Sequence, residues 1–327
     1  MKIRKAVRNS ITKDAQKASQ KPLYLVALSG GADSLALASA VASEASRKGA
    51  TFYAGAVIVE HGLQEATKKV AEDTAQLARE FGLDPVMIIP VSITEKGLGA
   101  EGDARAARYS AFEEAVEKTH ARGVIIGHTM NDQAEQVLLG LARGSGARSV
   151  SGIAEQRDMY IRPMLEISRK ETEESCREMG IDFWVDPHNS HEEYARVRVR
   201  KNLLPQMIEE LGEDVVQNLA RTAQIAREDS DAMDFIIDEK IESLVEISDN
   251  EYSFNVQELQ RLPVAIRKRM FKKLAKNYMN ADFMSTHCEA VNALIDEWNG
   301  QKPLNLPGGI TVKRLKNSNG ENRITFS

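Results

Sequence analysis

Residues 25–42 read LVALSGGADSLALASAVA. The β-forming run LVAL closes into Ser29, Gly30, Gly31 and Ala32, and beyond Asp33 and Ser34 the apolar residues follow a helical period. A strand that turns through two glycines into a helix brings backbone N–H groups close to whatever sits before the helix, and the helix dipole favours an anion there. A phosphate loop of the GxxxxGK[ST] kind places a lysine in this turn; here the charged residue is a carboxylate. At about 5 Å and an effective dielectric near 20, Asp33 would repel a phosphate by roughly 3 kcal/mol. A divalent cation between the two reverses the sign, so the pattern predicts Mg2+ with Asp33 as its carboxylate. The plainer alternative is that Asp33 and Ser34 only begin a helix, a dipole effect of about 0.3–1 kcal/mol.

The surroundings favour a ligand loop. Apolar runs PLYLVAL from Pro22, TFYAGAVIV from Thr51, DPVMIIPVS from Asp84 and GVIIGHT from Gly123 alternate with helical patterns over 34–48, 66–81 and 101–122. Gly49, Gly82 and Gly123 stand where helices should stop. Strands buried on both faces and alternating with helices predict an α/β fold, a doubly wound, mostly parallel sheet. Such sheets bind ligands at the carboxyl ends of their strands. The glycine loop, the EHG at 60–62 and the HTMND at 128–132 all fall at such ends.

Bulk properties restrict the possibilities further. With 327 residues, 42% hydrophobic and 28% charged, the chain has the size of a two-domain globular enzyme. A net charge of −5 excludes a protein that is basic throughout, though a local basic stripe could still meet nucleic acid. Cys176 and Cys288 form no CxxC or CxxH pattern, which fits a reducing cytoplasm and gives no zinc, iron–sulfur or redox-pair signal. No apolar run approaches the roughly 18–20 residues of a membrane span, so no membrane partner is expected. The opening MKIRKAVRNSITKDAQKAS lacks the apolar core of a secretory signal and reads as a basic amphipathic helix.

Downstream, GSGARSVSGI from Gly144 reads as a loop, and SRKE from Ser168 is a capping box opening a helix to Met179. DFWVD from Asp182 reads as a further strand. From 213 to 245 the pattern is helical and charged, with no proline or glycine. A smaller helical or α+β domain should follow, holding a strand at YSFNV, helices over 256–278 and 285–298, and a terminal hairpin. The expected division is 1–205 for the nucleotide-binding domain, 206–245 for a helical linker and 246–327 for the small domain.

Candidate side chains cluster in three places. Arg105 and Arg108 share a helix face, suited to phosphate, or else forming a solvated ion-paired face with Glu101 and Glu113. Asp132 and Glu135, three apart at a helix start, could hold an ammonium or a metal, or simply favour the dipole; His128 before them is either a structural or a catalytic histidine. Arg196, Arg198 and Arg200 alternate, so in an extended segment they would line one face. The basic runs RKRMFKKLAK from Arg267 and KRLK from Lys313 suggest a basic track.

SGGADS resembles the SGGxDS loop of the PP-loop ATPases, or adenine nucleotide alpha hydrolase-like proteins, which split ATP into AMP and pyrophosphate. VIVEHGLQ from Val57, EGDARAARYSAF from Glu101, GHTMNDQAEQVLLGLARGSG from Gly127, IRPML, WVDPHNS, YARVRVRKNLLP and LPGGITV resemble, in order, blocks of the tRNA(Ile)-lysidine synthetase family within that superfamily. Glu60 and Asn131 depart from the usual neighbours of these motifs, and VRVRK lacks a common asparagine. The chain ends without the tail domain of some members, and so resembles the short form.

The resemblance implies a ligase using ATP and Mg2+ that joins free L-lysine to C2 of the wobble cytidine of tRNA(Ile) with anticodon CAU; a homodimer is compatible with it. Ser29, Gly30, Gly31, Ala32, Asp33, Ser34 and His61 would bind the nucleotide, with Asp33 on Mg2+. Asp33, Asp132, Glu135 and Arg105 would be catalytic, the acid pair holding lysine. Arg108, Arg196, Arg198 and Arg200 would contact tRNA, as would the small domain. A thiolase that delivers sulfur to a tRNA base would need a cysteine pair, which the chain lacks. A non-catalytic tRNA-binding protein is opposed by the intact loop.

Overall fold

The computed structural model describes residues 2–60, 65–92, 97, 99–144, 146–185, 194–248 and 251–327. Two compact units emerge, Met1–Arg227 and Glu228–Ser327.

The first unit opens with α1 (Lys2–Ala15) and then alternates: β1 (Leu23–Leu28), α2 (Ala32–Ala45), β2 (Tyr53–Glu60), α3 (Glu65–Glu80), β3 (Val86–Pro90), α4 (Ala100–Thr119), β4 (Gly123–Ile125) and α5 (Met130–Arg143). A short helix α6 (Ala147–Val150), two-residue strands β5 (Gln156–Arg157) and β6 (Tyr160–Ile161), and α7 (Arg169–Glu178) follow. The sheet order is β3-β2-β1-β4-β6-β5, parallel except for the β5–β6 pair. Its centre is apolar because Leu25, Val26, Val57, Val124 and Ile125 are fully buried. Successive strands β1, β2 and β3 build outward on one side, whereas β4 returns to the other side of β1, so the sheet's switch point lies between β1 and β4.

Two features of this unit differ from the sequence reading. Residues 182–185 form no strand; the main chain of Trp184 instead donates a single bond to the carbonyl of Gly30 at 2.9 Å, passing over the glycine loop rather than joining the sheet. The alternating arginine segment is helical, not extended: α8 (Ala195–Arg198) runs through a π-helical turn over Val199–Leu203 into α9 (Leu204–Leu211). The valine alternation is overridden because Val199 and Leu204 pack with Ala134 of α5 and with Val215 and Val216.

The helical pattern over 213–245 is met by α10 (Val215–Leu244), within which the division between the units falls. The second unit continues with β7 (Glu246–Ser248), β8 (Glu251–Asn255), α11 (Val256–Gln260), α12 (Val264–Tyr278), α13 (Ser285–Asp296), β9 (Leu304–Leu306), β10 (Ile310–Lys316) and β11 (Asn322–Phe326). Its antiparallel sheet runs β7-β8-β11-β10-β9 around a core that includes Phe254, Phe271, Phe283 and Phe326. The single helix expected over 256–278 is broken at Pro263, which lacks the N–H a continuous helix needs. Three of the six cations in RKRMFKKLAK are already spoken for within the unit: Arg267 by Asp296, Lys268 by Glu289 and Lys273 by Asp238. The basic track is correspondingly weaker than the sequence suggests.

Among the described residues no helix is long and apolar enough to cross a membrane.

Candidate active site

The switch point sets the loops after β1 and β4 against each other. Gly127 makes their approach possible: a Cβ there would lie 3.1 Å from the carbonyl oxygen of Asp33. Gly30 adopts φ +78°, open to glycine and strained for other residues, and a Cβ on it would meet Thr74 Oγ1 at 2.9 Å. Ser34 closes the loop from inside. Its hydroxyl donates to the carbonyl of Gly31 at 2.8 Å and accepts the N–H of Ser29 at 3.2 Å. Ala32 and Asp33 begin α2, in the first turn, where backbone amides lack intrahelical acceptors. The loop is therefore a cradle for an anion, with one carboxylate at its lip.

That carboxylate is held from α7. Asp33 Oδ1 accepts the hydroxyl of Thr172, and Oδ2 faces Arg169 Nε at 3.4 Å. Burial is the largest influence on Asp33 and lifts its pKa above the ordinary carboxylate value; Arg169 and Thr172 pull the other way without cancelling it.

On the β4 side, Thr129 caps α5 and Asp132 completes a capping box, its Oδ2 accepting the Thr129 amide at 2.8 Å and hydroxyl at 3.0 Å. Of the alternatives open in the sequence, Asp132 thus fulfils the helix-start role with one oxygen and keeps the other for cations. Asp132 Oδ1 lies 3.4 Å from Arg200 Nη2 and 3.7 Å from Arg169 Nη2. Burial opposes its charge, but His128 first, then Arg169, the Thr129 amide and Arg200 outweigh burial and hold its pKa below the usual value. Glu135, fully buried, accepts a fork from Arg200, 2.6 Å from Nε and 2.9 Å from Nη2. Arg196 Nε stands 3.6 Å from Glu135, and its Nη2 donates to Gln136 at 3.0 Å.

Asp33, Asp132 and Glu135, separated by as many as 102 positions in sequence, thus share one cluster with Arg169, Arg196 and Arg200. Helical spacing explains the arginines: Arg196 and Arg200 are four apart and face α5 together, whereas Arg198 is exposed. Two of the three residues expected to form one outward row therefore turn inward. Arg105 and Arg108 are exposed on α4, Arg105 donating to the Tyr109 hydroxyl at 3.0 Å and stacking on its ring. His128 is half-buried, and its Nδ1, which is shielded from solvent, has no hydrogen-bond partner among the described residues. Burial, reinforced by Arg162, Arg105 and Arg196 and opposed by Asp132, lowers its pKa to about 4, so the ring is neutral at neutral pH. His61 lies outside the described residues.

Arg169 and Thr172 are the residues that sequence reasoning missed. They lie in the helix recognised only by its capping box, which the structure contains: Ser168 Oγ accepts the Glu171 amide at 3.3 Å and Glu171 Oε2 accepts the Ser168 amide at 2.7 Å. Neither cysteine offers a reactive thiolate, since both are buried and burial raises the Cys176 pKa to about 11.

Known proteins share this arrangement of chain. The PP-loop domain family matches residues 3–207. A tRNA(Ile)-lysidine synthase of Leifsonia xyli is 44% identical over 293 residues, covering 89% of this chain and 87% of the relative. Those of Streptomyces coelicolor and Thermobifida fusca are 42% and 41% identical, covering 90% and 95% of this chain and 83% and 94% of their own. Among solved structures, the U34-tRNA thiolase NcsA from Methanococcus maripaludis superposes with a TM-score of 0.57 at 15% identity, over 69% of this chain and 79% of that one, a likeness of fold. With identity above 40% over 89–95% of its length and a PP-loop match over residues 3–207, the chain belongs to the tRNA(Ile)-lysidine synthase family of PP-loop proteins.

Proposed function

We propose that this protein is a cytoplasmic ligase that uses ATP to join free lysine to C2 of the wobble cytidine in tRNA(Ile) with anticodon CAU. The observation that carries the reading is the convergence of the glycine cradle and Asp33 with the buried pair Asp132 and Glu135 at one switch point. An anion cradle next to a carboxylate pair suits a reaction that activates with a nucleotide and then accepts an amine.

In the first step O2 of the cytidine attacks the α-phosphorus of ATP, an O–P bond forms and pyrophosphate leaves. In the second the lysine side-chain amine attacks C2, a C–N bond forms and AMP departs with the oxygen. Ser29, Gly30, Gly31, Ala32 and Ser34 hold the pyrophosphate portion, with His61 completing the nucleotide site. Asp132 and Glu135 hold the lysine ammonium and take up the proton it must lose before attack. Asp132 Oδ1, whose cation contacts are long, is the oxygen best placed to exchange a guanidinium for an ammonium. Arg105 fixes the reacting base, and Arg108 and Arg198 contact the anticodon stem, assisted by the small C-terminal domain. Arg196 and Arg200 would reach tRNA only by leaving Glu135.

Among the described residues no group of three or more Asp, Glu, His and Cys side chains could hold a metal by itself. A single carboxylate at the lip of a phosphate cradle fits Mg2+ bound through Asp33 together with phosphate oxygens. Bound there, the ion supplies positive charge against the departing pyrophosphate.

Incubation with ATP, labelled lysine and a CAU-anticodon tRNA(Ile) tests the reading. It predicts label in the tRNA with one AMP per lysine transferred. AMP without label would indicate activation for another acceptor, and tRNA binding with neither product would leave only a binding protein.

A further inference from the structure

The first turn of α7 carries two side chains that touch the candidate site without belonging to any of its recognised motifs. Thr172 is fully buried, and its single hydroxyl proton has two acceptors, the Arg169 carbonyl at 2.7 Å and the nearer Asp33 Oδ1. Arg169 reaches three carboxylates and holds none tightly: 3.4 Å to Asp33, 3.7 Å to Asp132 and 4.0 Å to Glu135. Arg200, in the same cluster, grips Glu135 with two bonds below 3 Å. A fork set among three acids with no close contact is a shared counter-ion rather than one half of an ion pair.

The turn that presents these side chains is anchored on several sides. The Arg169 amide donates to Asn131 Oδ1 at 2.9 Å, one residue from Asp132. Glu171 meets Lys2 of α1 at 2.7 Å, and Cys176 Sγ lies 3.4 Å from the Ala32 carbonyl in the loop itself. α7 is thereby tied to α5 and to the start of α2, the two helices that bear the acids. A group meant to orient a reacting carboxylate needs such a support.

We infer that Arg169 and Thr172 are positioning residues: together they aim Asp33, and Arg169 alone also sets how strongly Asp132 and Glu135 hold an ammonium ion. The inference rests on the function proposed above. Three carboxylates face three guanidinium groups, from Arg169, Arg196 and Arg200, so removal of Arg169 leaves the cluster one charge more negative. Lysine should then bind more tightly while Asp33 loses its aim. A residue that merely supports the fold would weaken both.

Calorimetric titration of the full chain with lysine, and separately with Mg2+ and a non-hydrolysable ATP analogue, tests this alongside steady-state lysidine formation. In R169Q the lysine Kd should fall about three- to tenfold through the lost like charge, while kcat falls about tenfold or more through loss of a charge-assisted contact. R169K restores the charge but not the fork, so lysine affinity returns toward wild type and kcat does not. T172V, nearly isosteric, should weaken the nucleotide analogue about tenfold by removing the hydroxyl that holds the half-buried Asp33 carboxylate and leave lysine affinity unchanged; T172S, which keeps the hydroxyl, should restore it. Lysine affinity lowered or unchanged in R169Q, or nucleotide affinity equal in T172V and wild type, overturns the assignment. A wild-type protein that binds no lysine sinks the proposed function and this inference with it. Wild-type ligation with normal R169Q kinetics sinks the inference alone.

Discussion

Strand β1 has a charged cluster at each end, and the two are built on opposite principles. At its start, Asp14 of α1 accepts the Tyr24 hydroxyl at 2.6 Å, Arg122 Nε at 2.6 Å and Gln156 Nε2 at 3.0 Å. Three donors converge on that one carboxylate through bonds of 3.0 Å or less. Beyond its end, Asp33, Asp132 and Glu135 share Arg169 at 3.4–4.0 Å. Burial raises the pKa of Asp33, whereas at Asp14 Arg122, Tyr24 and Gln156 overcome burial and bring the pKa down to about 2. Parallel sheets take ligands at the carboxyl ends of their strands, and the loosely shared charge sits at that end. One acid is settled by its neighbours; the other is left wanting a cation.

The largest effect should come from Asp33. Asp33→Ala is expected to cut AMP formation by at least about 10²–10³-fold, the loss typical of a removed transition-state electrostatic partner, without lowering the unfolding midpoint. The sign for stability follows from the raised pKa. Its favourable contribution is complete below the ordinary carboxylate pKa and is lost as pH rises through the folded value. At neutral pH the charged side chain therefore costs stability, and Asp33→Asn should raise the midpoint at pH 7 but not at pH 3. A midpoint that drops at pH 7 would place Asp33 with Asp14 and erase the contrast.

Asp14 should behave in reverse. Asp14→Ala strands the Tyr24, Arg122 and Gln156 donors and is expected to cost about 2–4 kcal/mol in urea unfolding, with turnover per folded molecule unchanged. Because its folded pKa is depressed, the contribution is present above about 4, its value in the unfolded chain, and is lost as pH falls through about 2. The variant should show a flatter decline of stability below pH 4 than the wild type. Gly127→Ala comes next in size. Its new Cβ, 3.1 Å from the Asp33 carbonyl oxygen, should push the two loops apart, costing about 1–3 kcal/mol as overpacking does and lowering kcat more than nucleotide affinity.

What the sequence made legible was whatever has a local cause. β1 to β4 and their helices were readable because apolar runs and helical periods alternate along the chain, although Gly123, expected to stop a helix, opens β4, and α4 ends instead at His120 in the left-handed region. β5 and β6, two residues each, leave no such mark. Asp182 to Val185 carry strand-like residues, yet Trp184 bonds the Gly30 carbonyl, a contact across 154 positions that no window of sequence reports. The period-two pattern of 196–200 misled for a related reason: a helix lets Arg196 and Arg200 satisfy the buried Glu135 together, which an extended chain would not. Arg169 was invisible because its meaning lies in three acids 34 to 136 residues away.

Arg198 gives the finest test of that corrected geometry. It is exposed, on the other side of the helix from Arg196 and Arg200, so as a tRNA contact it reads phosphate and leaves the acid cluster alone. Arg198→Ala should raise the KM for tRNA about two- to fivefold near physiological salt and reduce the salt slope of binding by roughly 0.7–0.9, the share of one phosphate. Lysine affinity should not change. Arg200→Ala should do the opposite, disturbing lysine affinity and kcat because it strands the buried Glu135, with little change in the salt slope. If both variants moved the salt slope equally, the three arginines would act as the single outward row that their alternation suggests, and the inward turn of Arg200 would be a property of the protein without tRNA.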